Sequence, residues 1–498
     1  MNIHSTDYNI LKEYYDNTLN KDKANFKTSN DEPTPIGCVE EMLDKVPKEL
    51  WKRNNLKVLD PCGGNGNFHF VNHNLIQKYN PERTTEEIIR DNLHYNDIND
   101  IRIEIIKSIF NNETVQLNMT SVDFLQYPEI ENEEDRFDLS TVNPPYAHLI
   151  FDEKTQKFKR ASKNHNLIKP FIKKCLSLTK EGGYICFITP DNWMSLADRN
   201  TLIKELTQYQ FHWLDIGSAK KKWFSKVGSS FTWYIIQKTP AYQPFTISGN
   251  YRGLIYESQV DSQERDYIPL IYNRTIQSIL NKVIDTDNEK YKVETSSDLH
   301  KYTKRDLITK EKDDKHTFKL IHTPKQTVYA SRAHKFQAGY KVFISTTDTY
   351  GTFVDNCGMT QSIAFIRCEN EEEAKNISNA LNNNLFRFIN NICRWGNFNC
   401  IRILQRFPIV KNKDDIYNEF NITEEEQKFI ENIINNHSVK SRKKKKVKQV
   451  IKVKIINEEV EDIDTEDDIE EIFCKTILKN GKRKGKKCNR KKCRYHKK

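Results

Sequence analysis

Phe137-Asp138-Leu139-Ser140-Thr141-Val142 runs without a break into Asn143-Pro144-Pro145-Tyr146. The first six residues read as a buried strand. The two prolines stop it, because each removes a backbone donor and fixes its own φ. A strand ending on Asn-Pro-Pro-aromatic can aim three groups at one spot: the Asn143 amide, the Pro144 carbonyl and the Tyr146 ring. A planar group bearing an exocyclic NH2 suits that spot. The Asn143 side-chain oxygen and the Pro144 carbonyl accept its two hydrogens while the ring stacks on it. Four letters describe an ordinary proline-rich turn equally well, so the decision rests on what stands upstream.

Upstream, Lys57-Val58-Leu59-Asp60-Pro61-Cys62-Gly63-Gly64-Asn65-Gly66-Asn67-Phe68 reads as a short buried strand, a glycine-rich turn and the start of a helix. Glycine belongs where the backbone turns tightly and a ligand must approach without a Cβ in the way. Taken together, the two stretches resemble the S-adenosylmethionine-dependent amino-methyltransferases of DNA. The order is that of the gamma-type N6-adenine enzymes, in which the cofactor loop precedes the catalytic loop. The resemblance covers about the first half of the chain well and the next two hundred residues loosely. It implies an α/β fold: a Rossmann-like methyltransferase sheet, a C-terminal α+β target-recognition domain, and here a basic tail. Asn65 departs from the small Ser or Thr more typical of the family, and Cys62-Gly63 stands where Ala-Cys is usual.

With 498 residues the chain is too long for one ordinary core. Hydrophobic content of 37% and a mean hydropathy of -0.77 are low for an enzyme. The net charge of +10 misleads, since residues 440–498 hold 22 Lys and Arg against 10 Asp and Glu, leaving the body near −2. Any basic cleft in the body is therefore local. There is no apolar run of 18 residues and no basic-then-apolar leader. The expectation is a soluble, intracellular protein without membrane contact; if viral, it would reside in host cytoplasm, viral factory or nucleus. Eleven cysteines, grouped only at the extreme C-terminus, suit reduced thiols better than a disulfide framework.

Along the chain, Thr34-Pro35 precedes an amphipathic helix over Cys38–Val46. The resemblance puts Thr34 at the methionine end of the cofactor, although Thr-Pro also starts helices for capping reasons alone. A helix over Phe68–Tyr79 follows the glycine loop, and Pro81–Arg90 reads as an insertion. A second strand, from Leu93, ends at Asp97-Ile98. A carboxylate there can accept both ribose hydroxyls, or be a solvated turn residue. After a helix over Ile101–Ile109, a third strand is expected at Val115–Asn118. Then comes Asp123-Phe124, which the resemblance assigns to the amine and the ring of the cofactor adenine. The implied cofactor set is thus Thr34, Asp60, Cys62, Gly64, Gly66, Asp97, Ile98, Asp123, Phe124 and Asn143. The implied catalytic set is Asn143, Pro144, Pro145 and Tyr146.

Residues 152–164 are a candidate mobile element over the substrate. A helix over Lys169–Leu178, closed by Gly182-Gly183, leads to a fifth strand, Tyr184–Thr189. Two more, His212–Ile216 and Phe231–Ile236, complete a catalytic domain of residues 1–238. Phe224 and Phe231 are both candidates for a second aromatic against a flipped base. Residues 239–437 have the position of a target-recognition domain, with a strand at Tyr340–Ser345, a helix over Glu371–Phe386, and Arg394, Trp395, Arg402 and Arg406 among apolar residues. Residues 438–473 alternate blocks of like charge and read as a disordered linker. In 474–498, Cys474, Cys488, Cys493 and His496 make the ligand set of a structural zinc site, and the tail resembles short Cys/His tails on proteins of large DNA viruses.

The chemistry implied is site-specific methylation of adenine N6 in double-stranded DNA, as in restriction-modification, with a separate restriction endonuclease as a conceivable partner. The same loop also serves RNA adenine and the glutamine amide of proteins. A decayed DNA-binding or virion scaffold is the non-enzymatic alternative. Intact Asp60, Gly64, Gly66, Asp97, Asp123 and Asn143 speak against decay.

Overall fold

Consecutive residues of the central strands feed two different cores. Leu59, Ile185 and Phe187 pack into one, and Val58, Cys186 and Ile188 into the other. Side chains alternate across a strand, so a near-continuous apolar run means a sheet covered on both faces. The computed structural model describes residues 1–22, 32–146, 149–153, 157–160, 167–197, 202–224, 230–261, 266–347, 349–395 and 398–442. The charged segment and Cys/His tail beyond 442, with Cys474, Cys488, Cys493 and His496, lie outside the described residues, so the zinc expectation falls there too. Residues 1–455 cluster as one unit.

In chain order, α1 (Tyr8–Asn17), α2 (Ile36–Leu43) and α3 (Lys48–Trp51) precede β1 (Val58–Asp60). Then come α4 (Asn67–Tyr79), α5 (Thr85–Asn92), β2 (Leu93–Asn96), α6 (Asp100–Phe110), β3 (Asn118–Thr120) and β4 (Phe137–Val142). A hairpin of β5 (Leu149–Asp152) and β6 (Lys157–Arg160) follows, then α7 (Ile168–Leu178), β7 (Thr179–Pro190), β8 (Tyr209–Ile216), β9 (Phe231–Pro240), β10 (Phe245–Tyr251) and β11 (Leu254–Val260). The main sheet has nine strands in the order β11-β10-β8-β9-β7-β4-β1-β2-β3. From β3 to β7 every pairing is parallel, and β9 runs antiparallel to both β7 and β8. The chain winds outward from β1 toward β3, then restarts at β4 on the other side. The carboxyl ends of β1 and β4 therefore flank the switch point where open α/β sheets bind ligands.

Several boundaries differ from the sequence expectation. The segment expected to be an insertion is α5, started by a capping box in which Thr84 and Glu87 each bond the other's backbone amide. The third strand begins at Asn118, not Val115. The Asn112 side chain accepts from the Val115 amide and the Asn111 side chain from the Leu117 amide, so both donors are taken before a ladder can form. Gly182 and Gly183 do not close α7, which ends at Leu178. They sit inside β7 where the register slips between Phe137–Thr179 and Leu139–Tyr184, with Gly182 at φ 74. The sheet continues past Lys238 through β10, which pairs in parallel with β8, and β11, which pairs antiparallel with β10. Of the 152–164 element, the described part is hairpin strand.

Farther along, residues 294–295, 341–345, 352–355 and 363–367 form one four-stranded sheet, and 308–309, 318–323, 326–330 and 358–359 another. The expected helix over 371–386 is two, Glu371–Leu381 and Asn384–Ile392. They break where Asn382 turns to Thr352 and Asn383 caps the second helix. Both pack in the core shared with α7 and β7. Among the described residues no helix is long and apolar enough to cross a membrane.

Candidate active site at the carboxyl ends of β1 and β4

The loop after β1 is held from beneath by the strand beside it. Gly63 N–H donates to the Asn96 carbonyl at 2.9 Å, and the Tyr95 hydroxyl donates to the Gly64 carbonyl at 2.7 Å. A Cβ on Gly63 would run into the Tyr95 ring, which explains a glycine where the resembled family has a larger residue. Gly64 and Gly66 adopt φ of 55 and 77, and Gly66 caps α4 in a conformation other residues resist. Asn65, the other departure, is buried with its amide nitrogen toward Leu19 O and Asn20 Oδ1, tying the loop to the N-terminal segment.

Asp60 closes β1 and is 1% exposed, with no hydrogen-bond partner on either carboxylate oxygen. Burial, and then the charge of Asp97, push its pKa well above the usual carboxylate range. The Cys62 amide opposes the rise without satisfying the group. Asn65 Oδ1 and Asn67 Oδ1 are likewise buried acceptors without donors. Orphaned acceptors at the start of a helix ask for a ligand that brings hydrogen-bond donors and positive charge. The ammonium and sulfonium of S-adenosylmethionine meet that demand.

Asp97 is buried under the loop. Its Oδ2 accepts from Gly64 N–H at 2.9 Å, its Oδ1 from Asn99 N–H at 2.8 Å, and Arg102 lies 3.7 Å away. Ile98, next in the chain, is an apolar side chain left 59% exposed at the same edge, as a surface awaiting a flat ring would be. Asp123 is exposed after β3 and accepts from Leu125 N–H at 3.0 Å. Phe124 turns inward instead and packs with Phe171 and Tyr127 in the core, an ordinary use of an aromatic beside a surface carboxylate.

After β4, Asn143 is half-buried, Pro144 buried and Pro145 exposed. Asn143 Nδ2 donates to Thr34 Oγ1 at 3.1 Å and points to the Glu32 carbonyl at 3.4 Å. The Tyr146 hydroxyl donates to Asn143 Oδ1 at 3.0 Å. Cys62 Sγ reaches the Asn143 carbonyl at 3.4 Å, so the two loops touch. Burial raises the Cys62 pKa well above its ordinary value, which keeps it a thiol donor. The Tyr146 ring lies 6.0 Å from Phe231, which in turn packs at a tilt against Phe224 at 5.2 Å. Of the two aromatic candidates, Phe231 faces the loop and Phe224 backs it. Residues 225–229 between them lie outside the described residues.

Sequence reading missed Asn67, whose amide donates to the Thr34 carbonyl at 2.7 Å, and the Glu32 carbonyl. A polar residue at a helix start gives no hint of a partner 33 positions away. It also missed Asp191, at the end of β7, whose pKa burial raises to about 6. Among the described residues no group of His, Cys, Asp and Glu could hold a metal.

Residues 3–220 match the family model described as Eco57I restriction-modification methylase. Among solved structures, a nuclease-deletion mutant of the Type ISP restriction-modification enzyme LlaGI, in complex with a DNA substrate mimic, aligns at a TM-score of 0.51 and 14% identity. That alignment covers 83% of this chain and 56% of that one. The DrdV–DNA complex aligns at 0.46 and 10%, covering 85% and 59%. The Type ISP enzyme LlaBIII bound to DNA aligns at 0.44 and 12%, covering 72% and 35%. The chain thus spans less than two thirds of each of these proteins, and at such identities the likeness speaks to fold alone. No curated protein matches. The family match covers residues 3–220, less than half of the chain, and that part carries both loops.

Proposed function

We propose that the chain is a site-specific methyltransferase that moves a methyl group from S-adenosylmethionine to N6 of adenine in double-stranded DNA. The observation that carries this reading is the meeting of two loops at one switch point. An acceptor-rich glycine loop follows β1, and an Asn-Pro-Pro-Tyr loop follows the adjacent parallel β4.

When bound, S-adenosylmethionine supplies a methyl on a sulfonium, and sulfur keeps the bond's electron pair as a thioether. Asp60 suits the cationic end, and Asn67 Oδ1 is a further buried acceptor at the start of α4. Asp97 suits the ribose hydroxyls, Ile98 a ring face, and Asp123 an exocyclic amine. In the catalytic loop, Asn143 Oδ1 and the Pro144 carbonyl accept the two hydrogens of adenine N6. This draws electron density onto nitrogen as its C–N bond forms, and the extra proton then leaves through the same acceptors to solvent. No strong base is needed, so catalysis rests on positioning and preorganised acceptors. The amine lies inside a duplex, so the base must swing out, with Tyr146 on one face and Phe231 near the other.

For the DNA itself, residues 296–341 carry 11 Lys and Arg against 5 Asp and Glu, in a body that is otherwise acidic. Burial and the charge of Lys310 lower the pKa of Lys301, and burial, Lys301 and His300 lower that of His322 to about 4. His322 is thereby kept neutral, and it is the lysines and arginines of this stretch that suit the phosphates of a duplex.

The test is to incubate the protein with S-adenosylmethionine and unmethylated duplex DNA, digest the DNA and identify the modified nucleoside. N6-methyladenine supports the reading, and N4-methylcytosine or no modified base refutes it.

A further inference from the structure

We infer that Thr34 is a positioning residue that holds the Asn143 amide in place, so that the end chosen by the Glu32 carbonyl stays turned toward the reacting amine. This rests on the catalytic reading of Asn143 above, and it gives Thr34 a task other than lining the cofactor.

An asparagine amide can turn over, exchanging its NH2 for its oxygen. Only one orientation puts an acceptor before an adenine amine; the other presents two donors to two donors. The Glu32 carbonyl decides between them, and the Thr34 and Tyr146 hydroxyls, which can donate or accept, hold the amide in the orientation so set. The Glu32 carbonyl, 3.4 Å from the amide, has lone pairs and no proton, so the NH2 must lie on that side. Thr34 Oγ1 takes the NH2 more closely, at 3.1 Å. On the opposite side, the Tyr146 hydroxyl donates to Oδ1 at 3.0 Å and marks the position an incoming amine would take over. A reversed amide would set its oxygen against the Glu32 carbonyl.

Thr34 is itself immobilised. It is 3% exposed, and its carbonyl accepts from Asn67 Nδ2 at 2.7 Å, Asn67 being the first residue of α4 after the glycine loop. The Thr34 hydroxyl does not cap α2, because Pro35 is the cap residue and no side chain caps that helix. A chain of bonds therefore runs from the start of α4 through Thr34 to the catalytic amide. It couples the loop that would hold the cofactor to the orientation of the group that would hold the base.

The experiment compares Thr34→Val and Thr34→Ser with the parent, as full-length protein. It reads kcat and KM for methyl transfer to duplex DNA, S-adenosylmethionine affinity by calorimetry, and melting temperature to verify folding. Valine keeps the shape and removes the acceptor, so kcat should fall about 10- to 100-fold, the scale of a misplaced reacting group. Cofactor affinity should fall by less than kcat does, as the change removes only the partner that holds the Asn143 amide. Serine should restore most of the rate. An unchanged kcat, an equal loss in both variants, or a rate loss tracking weaker cofactor binding each overturns the proposal. Should the parent fail to methylate DNA, that failure belongs to the catalytic reading. Crystal structures of the parent and Thr34→Val then decide the inference alone: an Asn143 side chain that shifts or disorders only in the variant upholds it, and an unmoved side chain overturns it.

Discussion

Asp60 carries the sharpest conflict between stability and function in the site. A buried carboxylate with neither oxygen bonded costs free energy whenever it is ionised, and its raised pKa is the measure of that cost. Its folded pKa lies above the unfolded one. The associated stability is therefore present at low pH and is lost as pH rises from the unfolded pKa through the folded one. A cation in the site reverses the effect, so cofactor affinity should rise with pH as Asp60 ionises. Asp60→Asn removes the charge at nearly constant shape. The variant should melt at the same temperature as the parent or a few degrees higher at pH 8, and bind S-adenosylmethionine at least about 10-fold more weakly in calorimetry. A lower melting temperature with unchanged affinity would make Asp60 a structural residue. Residues of this kind are legible in sequence because they follow a short apolar strand and precede glycine. The Tyr95 ring that demands Gly63 is not, since the contact forms only when β2 pairs with β1.

At the scale of elements, α5 was hidden in plain view. Thr84 and Glu87 spell a capping box, but Pro81 and the charged residues around it read as a loop. The box starts the helix that returns the chain to β2, so Thr84→Ala should cost about 1 kcal/mol in denaturant unfolding. A loss within experimental error would mean that packing of Ile88 and Ile89 alone defines the helix. Strands β4 and β7 were legible because a buried parallel strand is a continuous apolar run. β3 was not, because side-chain amides at Asn111 and Asn112 take its first donors. The break between Glu371–Leu381 and Asn384–Ile392 escaped for a similar reason. The apolar periodicity runs on through it, and only the partner at Thr352 reveals what Asn382 does.

For the whole molecule, the order of strands and loops followed from local pattern, whereas the outer edge did not. β10 joins β8 by a parallel ladder between distant segments, and no local signal announces it. Burial along the chain also sets its acid limit. His69 is held at about 3, and His73, His94, His322 and His334 at about 4, in each case chiefly by burial. Their folded pKa values lie below the unfolded 6.5, so the stability they represent is present above that pH and is lost as pH falls toward 4. Asp60, raised by burial, and Asp191 and Asp215, raised to about 6 by burial, act in the opposite direction but are fewer. The melting temperature should therefore decline steadily from pH 6.5 to 4, and a flat or rising profile would contradict this balance. The most direct test of the central claim is transfer of labelled methyl from S-adenosylmethionine to duplex DNA by the parent and by Asn143→Ala, with cofactor binding measured on both. The account predicts label in adenine for the parent, at least a 100-fold lower rate for the variant, and a loss of rate larger than any loss of cofactor affinity. Equal transfer by both proteins, or none by a parent that binds the cofactor, would contradict it.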